Sequence, residues 1–245
     1  MYAMYAIIAS EFTLNRMLLL LVALVVLLIL VRIRSKRFYF VRHGETLLNA
    51  QHIRQGADGA LSEKGREQAE RVGEYLQRFP IERIISSTYP RAEETAHIIA
   101  KHLHVPVVPS ALFIERRNPT DIIGKPTNDP TVISIVDQMD LAYHEDDFRH
   151  SDEENFVDLK KRAQAVFALL SHQGPQETVI VTHHGFLKMC IAYLLYRDGL
   201  HAADFVKLSY FNVSDNAGIT VCEYNPWEMF SPTRGWKVLS YNEQP

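Results

Sequence analysis

Phe38-Tyr39-Phe40-Val41-Arg42-His43-Gly44-Glu45-Thr46 begins as an apolar run and ends abruptly in charged residues. Its aromatic and β-branched first half predicts a short buried strand. Gly44 allows the chain to turn sharply where that strand ends. Because ligands bind at the carboxyl ends of strands in open α/β sheets, His43 and Arg42 are expected at a binding edge. An imidazole beside a guanidinium there suggests a nucleophile next to an anion clamp.

The composition fits a globular protein with one main domain. The chain has 245 residues, of which 47% are hydrophobic and 22% charged, and its formal net charge is -3. This length accommodates one α/β domain of about 200 residues. No basic run exists outside one short cluster, which argues against a nucleic-acid partner. Cys190 and Cys222 lie in apolar surroundings without metal-ligand spacing, and we expect buried, reduced thiols.

The N-terminal part contains a fully apolar stretch. Residues 17–31 include no polar side chain, and a helix that is apolar all round favours lipid over water. The sequence therefore predicts a short tail over residues 1–16, with either Met1 or Met17 as the start, and an uncleaved transmembrane helix over residues 17–33. The alternative, an exported chain with a secretory signal peptide, is less favoured, because the positive charges follow the apolar core and no small-x-small cleavage site is present.

The charges around this stretch predict its orientation. A basic cluster follows it, formed by Arg32, Arg34, Lys36 and Arg37. The positive-inside rule then places residues 36–245 in the cytoplasm, with the chain held at the cell membrane by a lipid bilayer. Because almost no linker separates this cluster from the Phe38 strand, we expect the catalytic edge to lie close to the bilayer.

The remainder of the chain predicts one α/β domain over residues 36–245. Strand-like runs recur at Arg83–Ser87, Val105–Val108, Thr178–Thr182, Val206–Phe211, Gly218–Cys222 and Trp236–Leu239. Helical patterns run from an N-cap at Ser62 to Pro80 and over Arg91–His104, Phe156–Leu170 and Phe186–Tyr196. This alternation predicts a three-layer α/β/α sandwich with a mostly parallel sheet, and the closing strands predict an antiparallel edge.

Polar side chains follow several of these strands. Besides Arg42 and His43, these are Arg91, the neighbours His183 and His184, and Glu115. Each has a simpler explanation alone: Arg91 could pair with Glu93 or Glu94, the two histidines could bind a metal, and Glu115 could pair with a neighbouring arginine. Neighbours on a strand point to opposite faces, which disfavours the metal site. Together the groups fit metal-free phosphoryl transfer through an imidazole.

Three ordered motifs resemble those of the histidine phosphatase superfamily, also called the phosphoglycerate mutase-like family. The first is Arg42-His43-Gly44-Glu45-Thr46 with Asn49, followed by Gln55-Gly56-Ala57-Asp58 and Leu61-Ser62-Glu63-Lys64-Gly65-Arg66. The second is Ser86-Ser87-Thr88-Tyr89-Pro90-Arg91-Ala92-Glu93-Glu94-Thr95-Ala96, and the third is Val181-Thr182-His183-His184-Gly185. The resemblance runs from Phe38 to about Leu194.

The resemblance implies a role for each candidate residue. His43 would be the nucleophile, and Arg42, Arg91 and His183 would surround the phosphoryl oxygens. Glu115 would be the general acid and base. Further substrate contacts would come from Asn49, Gln55, Gly56 and His184. The resemblance implies a phosphomonoester hydrolase that needs no metal or cofactor and acts on a phosphorylated small molecule or a phosphoprotein.

Some assignments keep alternatives. The family pattern Ser/Thr-His-Gly would select His184 by its following glycine, but His183 directly follows Thr182 and is preferred. Glu115 lies in Glu-Arg-Arg-Asn-Pro, which departs from the family's usual surroundings of this residue. The segment of about 118–152 is predicted to be an insertion that forms a lid over the substrate. A phosphoglycerate mutase and an inactive, membrane-tethered module that binds phosphorylated ligands remain as alternative functions.

Overall fold

The structure is a computed structural model that describes residues 16–17, 19–25, 34–142, 144–172, 174–211 and 214–245. The chain divides into two units, residues 1–35 and residues 36–245. In the first unit, residues 16–17 and 19–25 are helical and exposed. Among the described residues, no helix is long and apolar enough to cross a membrane. A transmembrane helix was predicted over residues 17–33. Residues 18 and 26–33 of that range lie outside the described residues, so this helix stays a prediction.

Strands and helices alternate through most of the second unit. The strands are β1 (Lys36–Arg42), β2 (Arg83–Ser86), β3 (Val107–Pro109), β4 (Glu177–Thr182), β5 (Ile219–Tyr224) and β6 (Trp236–Glu243). The α-helices are α1 (Leu47–Ala50), α2 (Glu63–Leu76), α3 (Pro90–Leu103), α4 (Pro130–Leu141), α5 (Phe156–His172), α6 (His184–Tyr196) and α7 (Ala202–Phe211). Short 3₁₀ turns lie at Ala111–Phe113, Thr120–Ile122, Arg197–Gly199 and Pro226–Glu228.

The described strands form one mixed sheet in the order β3-β2-β4-β1-β5-β6. Strands β3, β2, β4 and β1 are parallel, whereas β5 and β6 add an antiparallel edge. The predicted α/β class with a mostly parallel sheet and an antiparallel edge is therefore confirmed. The parallel pairing sets Arg42 beside Thr182, so that the residues following both strands leave the sheet at the same edge.

Alternation along β1 builds the core on both faces of the sheet. Phe38 and Phe40 point into a cluster that includes buried residues of α5, α6 and α7. Tyr39 and Val41 point into a second cluster with buried residues of α2 and α3. Since neighbouring side chains of a strand face opposite sides, a strand buried on both faces has to be covered by helices on both. This is the three-layer arrangement.

The strand predicted over Val206–Phe211 is wrong, because these residues belong to helix α7. The run alternates apolar and polar residues, which is typical of a half-buried strand. The buried residues of this helix, Ala202 and Phe205, are three apart, which is the helical spacing. The N–H of Ala202 also donates to the carboxylate of Asp146 (2.7 Å), which satisfies a free donor at the helix start. The helical spacing of buried residues becomes visible only when the stretch of sequence considered begins at Ala202.

The turn after β1 depends on close contact between two glycines. Gly44 is buried, and its N–H donates to Thr95 Oγ1 (3.1 Å) on α3. A Cβ at Gly44 would overlap the carbonyl oxygen of Gly65 in the first turn of α2, and a Cβ at Gly65 would overlap the carbonyl oxygen of Glu45. Only glycine at both positions lets the loop after His43 pack against the helix.

We therefore expect Gly44→Ala to lower the free energy of unfolding by roughly 1–3 kcal/mol, because the added methyl group meets backbone that cannot move aside. Gly199→Ala is the matched control, since nothing lies within 4 Å of a Cβ at Gly199, and we expect a change within about 0.5 kcal/mol. Urea unfolding of the two variants measures both values. Equal stability of the two variants would show that the glycine contact is not required.

Candidate active site

The pairing of β1 with β4 brings two histidines together at the carboxyl edge of the sheet. The N–H of His43 donates to the carbonyl oxygen of Thr182 (3.0 Å). The rings of His43 and His183 lie side by side with their centroids 5.1 Å apart. Both residues are buried. The edge selected from the sequence therefore holds His43 and His183 in direct proximity.

One ring nitrogen of His43 is held by its own turn. Nδ1 lies 2.7 Å from the carbonyl oxygen of Gly44, and because a carbonyl only accepts, Nδ1 carries the proton. The lone pair is then on Nε2. The pKa of His43 lies well below its usual value, first because the ring is buried and then because Arg91 and Arg42 are close. His43 is thus a neutral imidazole with a free basic nitrogen at physiological pH.

Two guanidiniums, that of the buried Arg91 and that of the half-buried Arg42, lie beside this imidazole and are held by carbonyl groups. Arg91 Nη1 donates to the carbonyl oxygens of Gly56, Ala57 and Asp58 (3.0–3.1 Å). Arg42 Nη1 donates to the carbonyl oxygen of Ser214 (2.5 Å). Among the described residues, no ion pair within 4 Å involves either guanidinium. An anion entering the site would therefore meet two positive charges that no carboxylate neutralises directly.

The ion pair considered for Arg91 from the sequence is not observed. Glu94 instead accepts from Arg66 Nε (2.6 Å). Burial is the main reason that the pKa values of Arg91 and Arg42 are lowered, and the nearby carboxylate of Glu115 partly opposes this effect. Both side chains remain cations, because guanidinium does not lose its proton in proteins.

The two adjacent histidines have different surroundings. His183 Nε2 lies 2.7 Å from Ser87 Oγ, and its Nδ1 has no hydrogen-bond partner among the described residues. His184 is the first residue of α6, and its Nδ1 lies 2.9 Å from Ser214 Oγ. Burial is the main cause that lowers the pKa of His183 well below its usual value and that of His184 to about 4. Of the two, His183 is the one whose ring packs against His43.

Glu115 reaches the same edge from the loop after the Ala111–Phe113 turn. Its Oε1 accepts the N–H groups of Arg116 (2.8 Å) and Phe186 (3.0 Å), and its Oε2 accepts that of Gly185 (3.2 Å). A Cβ at Gly185 would lie 2.8 Å from Oε1, so glycine leaves room for the carboxylate. The considered ion pair with a neighbouring arginine is replaced by backbone donors, two of them at the N-terminus of α6.

The remaining predicted contacts lie around the loop that follows β1. Asn49 forms a capping box with Thr46 at the start of α1. Asn49 Oδ1 also accepts from Asn216 Nδ2 (3.4 Å), and the same amide donates to the carbonyl oxygen of His43 (3.1 Å). The carbonyl group of Gly56 holds Arg91, while Gln55 Oε1 is buried without a partner among the described residues.

A cavity of about 390 Å³ adjoins this cluster. Its lining includes Glu115, His184 and Gly185 on one side. From the segment predicted as a lid it includes Asn118, Ile122, Val136, Met139, Asp140, Ala142, Glu145 and Phe148. A second cavity of about 260 Å³ is lined by residues that include Gln55, Gly56, Tyr89 and Glu115. Glu115 thus lies between two spaces that could receive the part of a ligand beyond its anionic group.

Three residues of the site were not selected from the sequence. Ser87 binds His183 and lies within the second motif, where its position at a strand end was the available signal. Ser214 and Asn216 hold Arg42, His184 and His43 from the loop before β5. That loop has no local pattern to mark it, since it reaches the site only through the antiparallel pairing of β5 with β1.

A mixed α/β sheet with imidazoles and guanidiniums gathered at its carboxyl edge defines a phosphate-handling enzyme. The family model of the histidine phosphatase superfamily (branch 1) matches residues 38–236. The chain belongs to this superfamily, and it is a phosphoric monoester hydrolase.

Relatives support the same class. The chain is 32% identical over 146 residues to the uncharacterized phosphatase PhoE of Bacillus subtilis, covering 59% of this chain and 69% of that protein. It is 28% identical over 202 residues to a broad-specificity phosphatase of Saccharomyces cerevisiae, covering 77% and 79%. Among solved structures, a mycobacterial glucosyl-3-phosphoglycerate phosphatase has a TM-score of 0.69 at 25% identity, covering 85% of this chain and 99% of the other.

The two buried histidines make stability depend on pH. His43 and His183 stay neutral in the folded chain because their pKa values are depressed, whereas both take up protons near pH 6.5 when the chain unfolds. The unfolded state then binds more protons, so we expect the free energy of unfolding to fall as pH drops below about 6.5.

Urea unfolding between pH 7.5 and 5.5 measures this loss. His183→Gln removes one of the two histidines and should reduce the dependence of the free energy of unfolding on pH in this range. His97→Gln, at an exposed position of α3, should leave this dependence unchanged. A stability that is flat in pH for the native chain would contradict the assignment of neutral, buried imidazoles.

Proposed function

We propose that this phosphatase hydrolyses phosphomonoesters through a phosphohistidine intermediate on His43. The observation that carries the proposal is the free Nε2 of a neutral His43, which the Nδ1 contact with Gly44 leaves available for attack. Arg42, Arg91 and His183 lie close to the ring that carries this nitrogen. Their buried positive charge and donor groups would stabilise phosphoryl oxygens as charge spreads in the transition state.

In the first step, the lone pair of His43 Nε2 attacks phosphorus. The N–P bond forms, the ester P–O bond breaks, and Glu115 in its protonated form donates a proton to the leaving oxygen. The Gly44 carbonyl accepts a hydrogen bond from Nδ1–H throughout and stabilises the imidazolium character that develops on the phosphorylated ring. The leaving group would occupy the cavity that Glu115 and His184 line.

In the second step, a water molecule attacks the phosphoryl group on His43. The carboxylate of Glu115 takes a proton from this water, the new P–O bond forms, and the N–P bond breaks to release inorganic phosphate. His43 returns to its neutral form. The hydrogen bonds from Gly185 and Phe186 hold the Glu115 carboxylate in one position for both proton transfers.

We further propose that the segment 118–152 acts as a lid that selects the leaving group. Eight of its residues line the cavity of about 390 Å³, and a small apolar cluster of Ile122, Val132 and Ile135 gives the segment a core of its own. The substrate would be a phosphorylated small molecule, which agrees with a yeast relative described as a broad-specificity phosphatase.

The apolar stretch of residues 17–31 supports a further proposal on location. A segment without a polar side chain, followed by four basic residues, would hold the chain at the cell membrane with residues 36–245 in the cytoplasm. Retention of the full chain in the membrane fraction, with release by detergent only, tests this part separately from the chemistry.

For the nucleophile, we expect His43→Ala to lower the rate of p-nitrophenyl phosphate hydrolysis by roughly a thousandfold or more, since the change removes the attacking nitrogen. Labelling of the native chain with a ³²P-phosphomonoester should give an acid-labile, base-stable adduct that His43→Ala lacks. His97→Ala is the matched control, and we expect it to keep full activity. Labelling that survives in His43→Ala would overturn the assignment, and interconversion of phosphoglycerates faster than hydrolysis would favour the mutase.

For the general acid, the leaving group decides the size of the effect. We expect Glu115→Gln to slow hydrolysis of alkyl phosphates, whose leaving oxygen needs a proton, by at least about tenfold more than hydrolysis of p-nitrophenyl phosphate. A loss of helix capping alone would lower both rates by the same factor. The ratio of kcat/KM values for the two substrates, which reports the step in which the leaving group departs, therefore separates the chemical role from the structural one when native and variant protein are compared.

A further inference from the structure

The loop between β5 and β6 lies at the end of the sheet opposite to the catalytic edge. Lys36, the first residue of β1, pairs with Tyr224 at the end of β5, and Tyr224 pairs with Trp236 at the start of β6. The loop of residues 225–235 therefore projects from the end at which the chain enters the sheet. His43 follows the other end of β1.

This end carries a group of exposed apolar side chains. In the loop, Trp227, Met229 and Phe230 are 58%, 53% and 94% exposed. At the C-terminal end of α6, Leu195 and Tyr196 are 58% and 45% exposed. We call these five residues the end patch.

Contacts to the turn after α6 join the two parts of the end patch. Arg197 donates to the carbonyl oxygen of Thr233, and Arg234 pairs with Asp198 (2.8 Å). Clustered exposed aromatic residues of this kind mark an interaction surface.

The sequence restricts what can cover the end patch. Only residues 32–35 separate the apolar stretch 17–31 from Lys36. The five Cα–Cα steps from residue 31 to Lys36 span at most about 18 Å when the chain is fully extended. A bilayer that holds residues 17–31 would therefore lie within this distance of the sheet end that carries the end patch. Tryptophan and other aromatic residues favour the interface between headgroups and acyl chains, and the basic residues Arg32 and Arg34 favour anionic headgroups.

We propose that the end patch inserts into the interface of the bilayer that holds the N-terminal segment. This inference rests on the proposed membrane anchor and is independent of the proposed chemistry. With the loop of residues 225–235 in the headgroup region, the domain has two attachments to the membrane and a fixed orientation.

The orientation has a consequence for the substrate. β1 has seven residues, and a strand rises about 3.3 Å per residue, so His43 lies roughly 23 Å along the strand from the membrane end. Helix α6 spans the same direction, from His184 at the site to Tyr196 at the end patch. The catalytic edge then faces the aqueous phase and not the bilayer, which reverses the expectation drawn from the short linker and favours a water-soluble phosphomonoester.

Tryptophan fluorescence of the full chain in vesicles tests the proposal. The sequence contains two tryptophans; Trp236 is 3% exposed and serves as an internal reference, whereas Trp227 is exposed. In vesicles of phosphatidylcholine and phosphatidylglycerol, we expect brominated acyl chains to quench most of the Trp227 emission. Trp227→Phe should remove this quenched component, and Phe230→Glu should weaken it by lifting the loop from the apolar region.

The matched control places a tryptophan of similar exposure near the other edge. Leu47, which is 61% exposed on α1, is replaced by Trp in the Trp227→Phe background, and this probe should not be quenched. Equal quenching of Trp227 and of the tryptophan at position 47 would overturn the proposal. So would unquenched Trp227 emission from chains that float with the vesicles. A blue shift of the Trp227 emission that grows with the amount of protein per vesicle, without quenching by brominated acyl chains, would overturn the proposal and indicate that a second copy of the chain covers the end patch.

The failures of the separate proposals can be distinguished in the same preparation. A full chain that does not float with vesicles refutes the anchor and the inference together. Hydrolysis of p-nitrophenyl phosphate by that preparation would still support the phosphatase mechanism, because the assay does not depend on lipid.

Discussion

The site depends on the parallel pairing of β1 with β4. The register places Arg42 beside Thr182, so the next residue of each chain segment, His43 and His183, leaves the sheet at the same height. One backbone hydrogen bond, from the N–H of His43 to the carbonyl oxygen of Thr182, fixes this relation. A slip by one residue would turn His43 to the opposite face and exchange the two core clusters. The fold and the site are therefore determined by the same hydrogen-bond ladder.

The site holds positive charge away from water, and no direct ion pair to it is found in the part of the chain that the structure describes. Removing a charge from water costs several kcal/mol unless polar groups replace the lost hydration. Here carbonyl oxygens of Gly56, Ala57, Asp58 and Ser214 act as those groups for the two guanidiniums. Carbonyl dipoles stabilise a cation without neutralising it, so the charge stays available to a phosphate. Burial first, and then these charges, lower the pKa of both imidazoles, and the attack proposed for His43 needs this neutral form.

Local sequence predicted the parts of the structure that local forces determine. Arg42, His43, Arg91 and His183 were identified because they follow predicted strands. A buried apolar strand and the polar or glycine residues at its end can be recognised from neighbouring residues alone. Helix α7 was missed, since its helical period appears only when Ala202 is included. Ser214 and Asn216 were missed because they reach His43 and Arg42 through the pairing of distant strands, which no local pattern reports. Glu115 was located, but its partners at the start of α6 were not.

Those partners explain how one carboxylate can serve both the fold and the reaction. The N-terminus of a helix leaves N–H groups without partners and carries partial positive charge. Glu115 satisfies two such groups of α6, at Gly185 and Phe186, and the same helix begins directly after His183. Any movement of α6 would therefore displace Glu115 and His183 together, and keep their mutual distance. Because the helix continues into the buried core at Phe186, Leu187 and Met189, the packing of the domain holds Glu115 and His183, the proposed acid and the proposed phosphate-binding histidine, in a common frame.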